Sequence, residues 1–213
     1  MRNVFTALFA AAVFLSCSSS SKQMKNDGWV SLFDGKSLNG WKVGANPGTF
    51  SIENGAIAVN GPVAHLFYDG EVMNHDFKNF EFKTQVMTTP GSNSGIYFHT
   101  AFQESGWPSK GYEVQVNNSH TDWRRTGSLY AIQDVREVHV KDNEWYTESI
   151  TVKDKHVTIK INDKIVVEYD EPENVQREKG MEGRKLSSGT FAIQGHDPKS
   201  KVYFKNIMVK PLD

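Results

Sequence analysis

Short runs in which apolar and polar residues alternate fill the chain from residue 28 to residue 213, and helical periodicity is nearly absent. In one such run, Phe80, Phe82 and Val86 alternate with charged or amide side chains. Because successive side chains of a strand point to opposite faces, this pattern predicts strands with one buried and one solvated face. Parallel sheets require a long crossover segment, usually a helix, between successive strands. This sequence shows no helical segment between its strand-like runs. We therefore expect an all-β fold, an antiparallel sandwich or jelly roll.

Turn signals lie between these runs. Asn54-Gly55 separates residues 50–53 from residues 56–59 and predicts a two-residue hairpin, because Asn and Gly tolerate the positive φ angles of a type I′ turn. Residues 127–130 have the pattern of a further strand start. Residues 171–188 are charged and interrupted by glycines, which favours a long surface loop.

The charge balance limits the partners of this chain. Its 24 Lys and Arg residues against 25 Asp and Glu residues give a formal net charge of −1. A nucleic-acid-binding domain usually carries a basic surplus on one face, so we expect no nucleic-acid partner. The 213 residues suit a single domain. Aromatic residues make up 12% of the chain, enough for a large β core and for side chains that stack on sugars.

The N-terminus has the pattern of an exported lipoprotein. Arg2 precedes an apolar run from Val4 to Leu15, which is shorter than the roughly 20 residues that span a bilayer. Residues 14–17 (Phe-Leu-Ser-Cys) resemble a bacterial lipobox, which implies that Cys17 is lipidated and becomes the mature N-terminus. The alternative is an unmodified cysteine near an ordinary cleavage site.

These signals divide the chain into three parts. We expect a signal peptide at residues 1–16, a lipid-anchored flexible linker at residues 17–27 and one domain at residues 28–213. The expected location is the cell envelope, in the outer membrane or facing the periplasm, with membrane contact through the lipid anchor only. Because Cys17 is the only cysteine, its lipidation leaves no thiol for disulfide bonds or catalysis.

One predicted strand carries a row of polar side chains. Glu113, Gln115 and Asn117 share one of its faces, and three apolar or aromatic residues share the other. Such a row matches the hydroxyl groups of a sugar, although a plain solvent-facing strand has the same pattern. Laminarinase-type hydrolases place carboxylates at alternate positions of one strand, but this strand supplies only one. Ordinary retaining hydrolysis needs two, so Asp122 or Asp134 would have to supply the second.

Further candidates lie at strand ends and in loops, where binding residues concentrate. Gln194 and His196 fall on one side of a strand as it ends. The histidines are scattered without a His-x-His or His-Glu-x-x-His pattern, so we expect no catalytic metal site. Amide, aromatic and guanidinium groups suited to holding a sugar are present at Asn93, Trp107, Arg124 and Tyr130.

The sequence resembles a known family along nearly all of residues 28–213. The motifs follow in the family's order: GWVSLFDGKSLNGW (28–41), NSGIYFH (93–99), GYEVQ (111–115), TGSLY (126–130), GTFAIQGH (189–196) and VYFKNI (202–207). They are similar to those of the 3-keto-disaccharide hydrolase domain family, which is common in Bacteroidetes lipoproteins. This resemblance implies a concanavalin-like jelly roll and, as substrate, an oxidised disaccharide or glycoside with a ketone at C3.

A C3 ketone acidifies the hydrogen at C2, so a base can remove it, the C1–O bond can break by elimination, and water can then add. We expect Glu113 to be the general base, or to orient His196 if the imidazole is the base. His196 or Tyr130 would protonate the leaving oxygen. Gln115, Gln194 and Asn93 would hold hydroxyl groups or polarise the ketone.

Two further expectations concern His99 and bound ions. His99 stands where many family members carry Arg, and we assign it to the substrate-binding residues. No cofactor is expected, and the sequence leaves a structural calcium ion open. The alternatives in function are a carbohydrate-binding or lectin-like domain without catalysis and a conventional glycoside hydrolase.

Overall fold

The computed structural model describes residues 27–213. The predicted signal peptide, the lipidation site Cys17 and nearly all of the predicted linker lie outside the described residues. The chain forms strands β1 (Val30–Ser31), β2 (Trp41–Val43), β3 (Phe50–Glu53), β4 (Ala56–Val59), β5 (Ala64–Tyr68), β6 (Phe80–Thr88), β7 (Ser94–Thr100), β8 (Tyr112–Val116), β9 (Tyr146–Lys153), β10 (His156–Ile161), β11 (Lys164–Asp170), β12 (Thr190–Gly195) and β13 (Val202–Pro211). Short 3₁₀ helices cover Pro47–Thr49 and Val72–His75. No helix among residues 27–213 is long and apolar enough to cross a membrane.

The strands form two antiparallel sheets, which confirms the predicted fold class. The larger sheet has the order β11-β10-β9-β6-β13-β4-β3, and β1 pairs with the end of β13. The smaller sheet has the order β2-β5-β12-β7-β8. Sequence neighbours β3 and β4 pair as the predicted hairpin, and its turn residues Asn54 (φ 50°) and Gly55 (φ 78°) have the positive φ angles that a type I′ turn requires.

The core lies between the two sheets. Alternate residues of β6, β9 and β10 are buried, as their sequence pattern predicts. Phe82 of the larger sheet packs on Phe191 of the smaller one, with ring centroids 4.7 Å apart. Each such aromatic side chain stabilises the fold by roughly 1.5–3 kcal/mol through its burial. This core fixes the smaller sheet, which carries the candidate site on its outer face.

The outer face of the smaller sheet is covered by loops instead of facing solvent. Every residue of β5, β7, β8 and β12 is buried, on both faces. A plain solvent-facing strand at Glu113 and Gln115 is therefore the wrong interpretation of their pattern. The covering segments are residues 101–111, 117–145 and 171–189, and the last is the long loop predicted for residues 171–188.

The predicted strand at residues 127–130 does not form. Leu129 makes only isolated bridges, to Val114 and Gln133. The segment instead follows the free edge of β8 for a few residues and then turns, with the backbone N–H of Tyr130 donating to the carbonyl oxygen of Glu113. The pattern alternates as in a strand, but within residues 27–213 no further strand pairs with this segment at the edge of the sheet. The consequence is that the Tyr130 side chain lies beside the polar face of β8.

Candidate active site

A cavity of about 330 Å³ lies over the outer face of the smaller sheet. This is near the lower end of the range for small-molecule sites, roughly 300–1,000 Å³, and suits one or two sugar rings. Strands β7, β8 and β12 supply its floor, and the three covering loops supply its walls. Of the predicted site residues, those that line it are Asn93, Trp107, Glu113, Gln115, Tyr130, Gln194 and His196.

Glu113 lies on the floor, and both of its carboxylate oxygens accept hydrogen bonds. Oε2 accepts from the Tyr97 hydroxyl (2.9 Å) and Oε1 from the Gln194 amide (2.8 Å). The Arg184 guanidinium lies 3.6 Å from Oε2. Burial raises the pKa of Glu113 above its ordinary value, and Arg184, Tyr97 and Gln194 oppose this rise. A carboxylate with a raised pKa, fixed in place and facing a cavity, is suited to take a proton.

Amide side chains line the floor beside Glu113. The Gln115 Nε2 donates to Asn93 Oδ1 over 2.8 Å, which fixes both side chains. The Oε1 atoms of Gln115 and Gln194 are buried and accept no hydrogen bond from the described residues. Unpaired buried acceptors cost about 1–3 kcal/mol each. A ligand that brought donors to these amides would offset that cost.

One wall combines an indole with imidazoles. His196 packs against Trp107, with ring centroids 5.6 Å apart, and against His120 at 5.4 Å. The Nδ1 of His196 lies 2.8 Å from Asp197 Oδ2. If Nδ1 donates to this carboxylate, the lone pair of the neutral ring is on Nε2. His196 is thereby oriented as a proton donor or acceptor, and Trp107 presents an aromatic face of the kind that stacks on sugars.

A second wall centres on Tyr130. Its ring contacts the guanidinium groups of Arg124 (4.6 Å) and Arg184 (5.0 Å). Burial raises the pKa of the Tyr130 hydroxyl, although Arg124 opposes this rise, so the hydroxyl stays protonated at neutral pH. Arg124 itself does not line the cavity: it pairs with Asp134 at 3.1 Å and supports Tyr130 from behind.

His99, like Arg124, is a predicted site residue that does not line the cavity. Its ring is buried against Phe80 and Phe98. Nε2 lies 2.9 Å from the carbonyl oxygen of Lys78, and Nδ1 accepts the backbone N–H of Ser187. The structure therefore corrects the assignment of His99 to the substrate-binding residues. Backbone groups occupy both of its ring nitrogen atoms, so its role here is in packing.

Three cavity residues with ionisable side chains were not assigned to the binding or catalytic site from the sequence. Tyr97 stands directly opposite Glu113 in the register of β7 and β8, so the alternation along β7 would have placed it on the same face. Arg184 comes from the long loop, where no periodicity marks it. Asp122, considered above only as a second carboxylate, also lines the cavity, with its carboxylate accepting the backbone N–H of Arg124 (2.9 Å).

A jelly roll with a cavity of amides, aromatic rings and a buried carboxylate has the chemistry of carbohydrate-active proteins. Residues 28–210 match the 3-keto-alpha-glucoside-1,2-lyase-like domain. The chain therefore belongs to this family, as the sequence motifs predicted.

Proteins that are similar to this chain also belong to the carbohydrate-active class. The chain is 29% identical to the 3-keto-disaccharide hydrolase of Bacteroides thetaiotaomicron, over 88% of this chain and 79% of that protein. It is similar to a crystal structure of a proposed glycosyl hydrolase from Parabacteroides distasonis, with a TM-score of 0.74, 25% identity and coverage of 91% and 98%. SCLam, an endo-beta-1,3(4)-glucanase, shares only the fold, with a TM-score of 0.52, 12% identity and coverage of 85% and 88%. Family and relatives together support carbohydrate hydrolysis as the activity class.

Proposed function

We propose that this protein cleaves glycosides whose C3 hydroxyl has been oxidised to a ketone, with Glu113 as the base that removes the C2 proton. The electron pair of the C2–H bond then forms an enolate. Collapse of the enolate expels the oxygen at C1, which takes up a proton, and water adds across the resulting C1–C2 double bond. The family match and the name of the Bacteroides relative support this reaction class.

The observation that carries the proposal is the environment of Glu113. Its carboxylate is buried, has a raised pKa and faces the cavity among neutral donors and one guanidinium. Proton abstraction next to a ketone needs one base and donors for the enolate oxygen. Arg184 is placed to supply such a donor, whereas Gln115 and Gln194 have unpaired Oε1 atoms that can accept hydrogen bonds from the sugar hydroxyls. His196 and Tyr130 both line the cavity, and either is suited to protonate the leaving oxygen.

A conventional glycosidase is the second candidate, because Asp122 gives the cavity a further carboxylate. Retaining hydrolysis requires one carboxyl group as nucleophile and another as acid. The Asp122 carboxylate is already engaged by Arg124, both through the backbone N–H and with the guanidinium at 3.7 Å. This favours a supporting role for Asp122 and leaves Glu113 as the reacting carboxylate.

The test is to incubate the purified protein in D₂O with a 3-keto glucoside, with the unoxidised glucoside in a parallel tube, and to follow both by proton NMR. We expect aglycone release from the keto form only, and 3-keto-glucose that carries deuterium at C2 from its first appearance. A tube without protein measures spontaneous exchange. Cleavage of the unoxidised glucoside would favour the glycosidase, whereas binding without turnover of either sugar would favour a lectin-like domain.

The test variant is Glu113→Gln, and its matched control is Glu81→Gln. Glu113→Gln preserves shape and removes the base, so we expect turnover to fall by about 10²–10⁴-fold. Glu81 pairs with Lys210 on the outer face of the larger sheet, far from the proposed chemistry, and its change should leave turnover intact. Wild-type turnover by Glu113→Gln would contradict the proposal.

We also propose that the protein works in the periplasm, in carbohydrate catabolism, as a lipoprotein anchored through Cys17. The support is the sequence pattern of the first 17 residues, with its short apolar run and its lipobox-like end. Cells fed labelled palmitate should incorporate label into the wild-type protein and not into Cys17→Ser, which should also leave the membrane fraction. Equal labelling of both would contradict lipidation at Cys17.

A further inference from the structure

A cluster of three metal-ligating side chains lies at the edge of the cavity. His120 comes from the loop after β8, and His196 and Asp197 come from the end of β12. One ligand atom from each lies within 4.8 Å of the others. Two ligand atoms on one tetrahedral Zn²⁺ ion are about 3.3–3.4 Å apart, so the side chains would have to close by up to about 1.4 Å.

Each group of the cluster holds a lone pair that an ion can use. Nδ1 of His120 accepts only the backbone N–H of Asp122 at 3.1 Å and a long contact from Asn93 at 3.4 Å. Nδ1 of His196 lies 2.8 Å from Asp197 Oδ2, so an ion bound by both atoms takes the place of the proton between them. Such an ion also has to displace the backbone N–H of Asp122 from His120.

Hydrogen-bond donors surround the Asp197 carboxylate and stabilise its anionic form. Asp197 accepts hydrogen bonds from the Ser200 hydroxyl (2.8 Å) and from the backbone N–H groups of Lys199 (2.8 Å) and Ser200. Within the described chain its ion-pair partner is His196 and no Lys or Arg. Its Oδ2 atom, 2.8 Å from His196 Nδ1, is placed to share an ion with that ring.

The cluster also has open space on two sides. His196 lines both the 330 Å³ cavity and a neighbouring hollow that is lined by His120 and Asp197 as well. An ion here would keep coordination positions free for water or substrate, as catalytic metal sites do. The imidazole and carboxylate donors suit a divalent transition metal better than Ca²⁺ or Mg²⁺.

We propose that His120, His196 and Asp197 bind one divalent transition-metal ion that coordinates the substrate. This inference rests on the proposed function for the identity of that substrate. A 3-keto sugar presents its ketone oxygen and its C2 hydroxyl oxygen next to each other, and such a pair chelates a divalent ion. The ion would act as a Lewis acid toward the ketone and so acidify the C2 hydrogen that Glu113 removes. No electron is gained or lost in this step.

The first measurement is metal binding by the purified protein without any sugar. After treatment with a chelator and its removal, the protein is titrated with ZnCl₂ by calorimetry, and with CoCl₂ while visible absorbance is followed. We expect one ion per chain and cobalt absorption bands typical of nitrogen and oxygen ligands. His196→Ala and Asp197→Asn should each weaken binding by roughly 10- to 100-fold.

The control variant is His156→Ala. His156 also lies 2.8 Å from an aspartate, Asp170, but it is on the larger sheet and no second histidine accompanies it. Its change should leave the affinity and the stoichiometry as they are. Absence of saturable binding by the wild-type protein, or unchanged affinity in His196→Ala with a wild-type melting temperature, would overturn the metal site.

Activity then separates the two proposals. Turnover of the 3-keto glucoside that is lost with the chelator and restored by the ion supports both. Full turnover by metal-free protein overturns the metal proposal and leaves the elimination reaction standing. One tightly bound ion without turnover of any 3-keto glycoside upholds the site and counts against the proposed function.

Discussion

At the scale of single residues, the position of the Glu113 carboxylate depends on Gly95, which has no side chain to occupy the same space. Gly95 stands beside it on β7, opposite Gln115 in the register of β7 and β8. A Cβ atom on Gly95 would lie 2.6 Å from Glu113 Oε1 and 3.0 Å from its Cγ. No positive φ angle requires glycine at this position. The need for glycine is therefore spatial: it leaves room for the carboxylate to lie across the strand toward Gln194.

We expect Gly95→Ala to move the Glu113 carboxylate, because the added methyl group occupies its place and the backbone of a central strand cannot yield. The bonds from Tyr97 and Gln194 should lengthen, and turnover of the 3-keto glucoside should fall by at least about tenfold, a loss of roughly 1.4 kcal/mol of transition-state stabilisation. Steady-state kinetics and a crystal structure of the variant check this. Gly48→Ala is the matched control, since a Cβ at Gly48 meets nothing within 4 Å. Unchanged kinetics in Gly95→Ala would contradict the role of Glu113.

At the scale of elements, a network holds the long loop, residues 171–189, between the edges of both sheets. Arg177 donates from Nε to the carbonyl oxygen of Arg184 (2.7 Å) and from its guanidinium to the hydroxyls of Tyr112 on β8 and Tyr169 on β11. Glu171 accepts the Tyr112 hydroxyl and lies 3.7 Å from Arg177. The network fixes the backbone from which Arg184 reaches Glu113.

We expect Arg177→Met to loosen this loop while the sheets stay folded, because the loop loses its bonds to both edge strands. The kcat/KM for the 3-keto glucoside should fall by roughly tenfold, since Arg184 is no longer held at Glu113. Limited trypsin digestion should cut after Arg184 or Lys185 sooner than in the wild type. Lys179→Met removes a charge from an exposed position of the same loop and should change neither readout. Equal protease resistance of both variants would show that the network does not position the loop.

Strands could be predicted from this sequence more readily than the site. Alternation along β6, β9 and β10 reports local burial, and Asn54-Gly55 reports local backbone geometry, so both are visible in a short window. Arg184 reaches Glu113 only because Arg177 finds hydroxyls on two strands that are distant in sequence. His99 shows the converse limit: the family resemblance assigned it to substrate binding, but the sequence does not show that the carbonyl oxygen of Lys78 occupies its ring.

At the scale of the whole molecule, the sandwich buries ionisable groups in their neutral forms. Burial lowers the pKa of His65 and of His99 to about 4. Burial raises the pKa of Glu148, on the inner face of β9, well above its ordinary value, and neither of its carboxylate oxygens has a hydrogen-bond partner among the described residues. The histidines make the folded state more stable as pH rises from about 4 toward 6.5. Above pH 4.5, Glu148 makes the folded state less stable as pH rises.

The effect of Glu148 can be isolated with one substitution. Between pH 4.5 and its raised pKa, the folded state holds a proton on Glu148 that the unfolded state has released. The free energy of unfolding therefore falls as pH rises through this range, by about 1.4 kcal/mol per pH unit for this one group. Glu148→Gln keeps the shape and has no proton to release, so its stability should fall less steeply, by about that amount per unit. Urea unfolding of both proteins at pH 5, 6, 7 and 8 measures the difference, in which the contributions of Glu113, His65 and His99 cancel. Parallel pH profiles would mean that Glu148 gains a partner or solvent in the folded protein, and the core between β9 and β6 would then have to admit water.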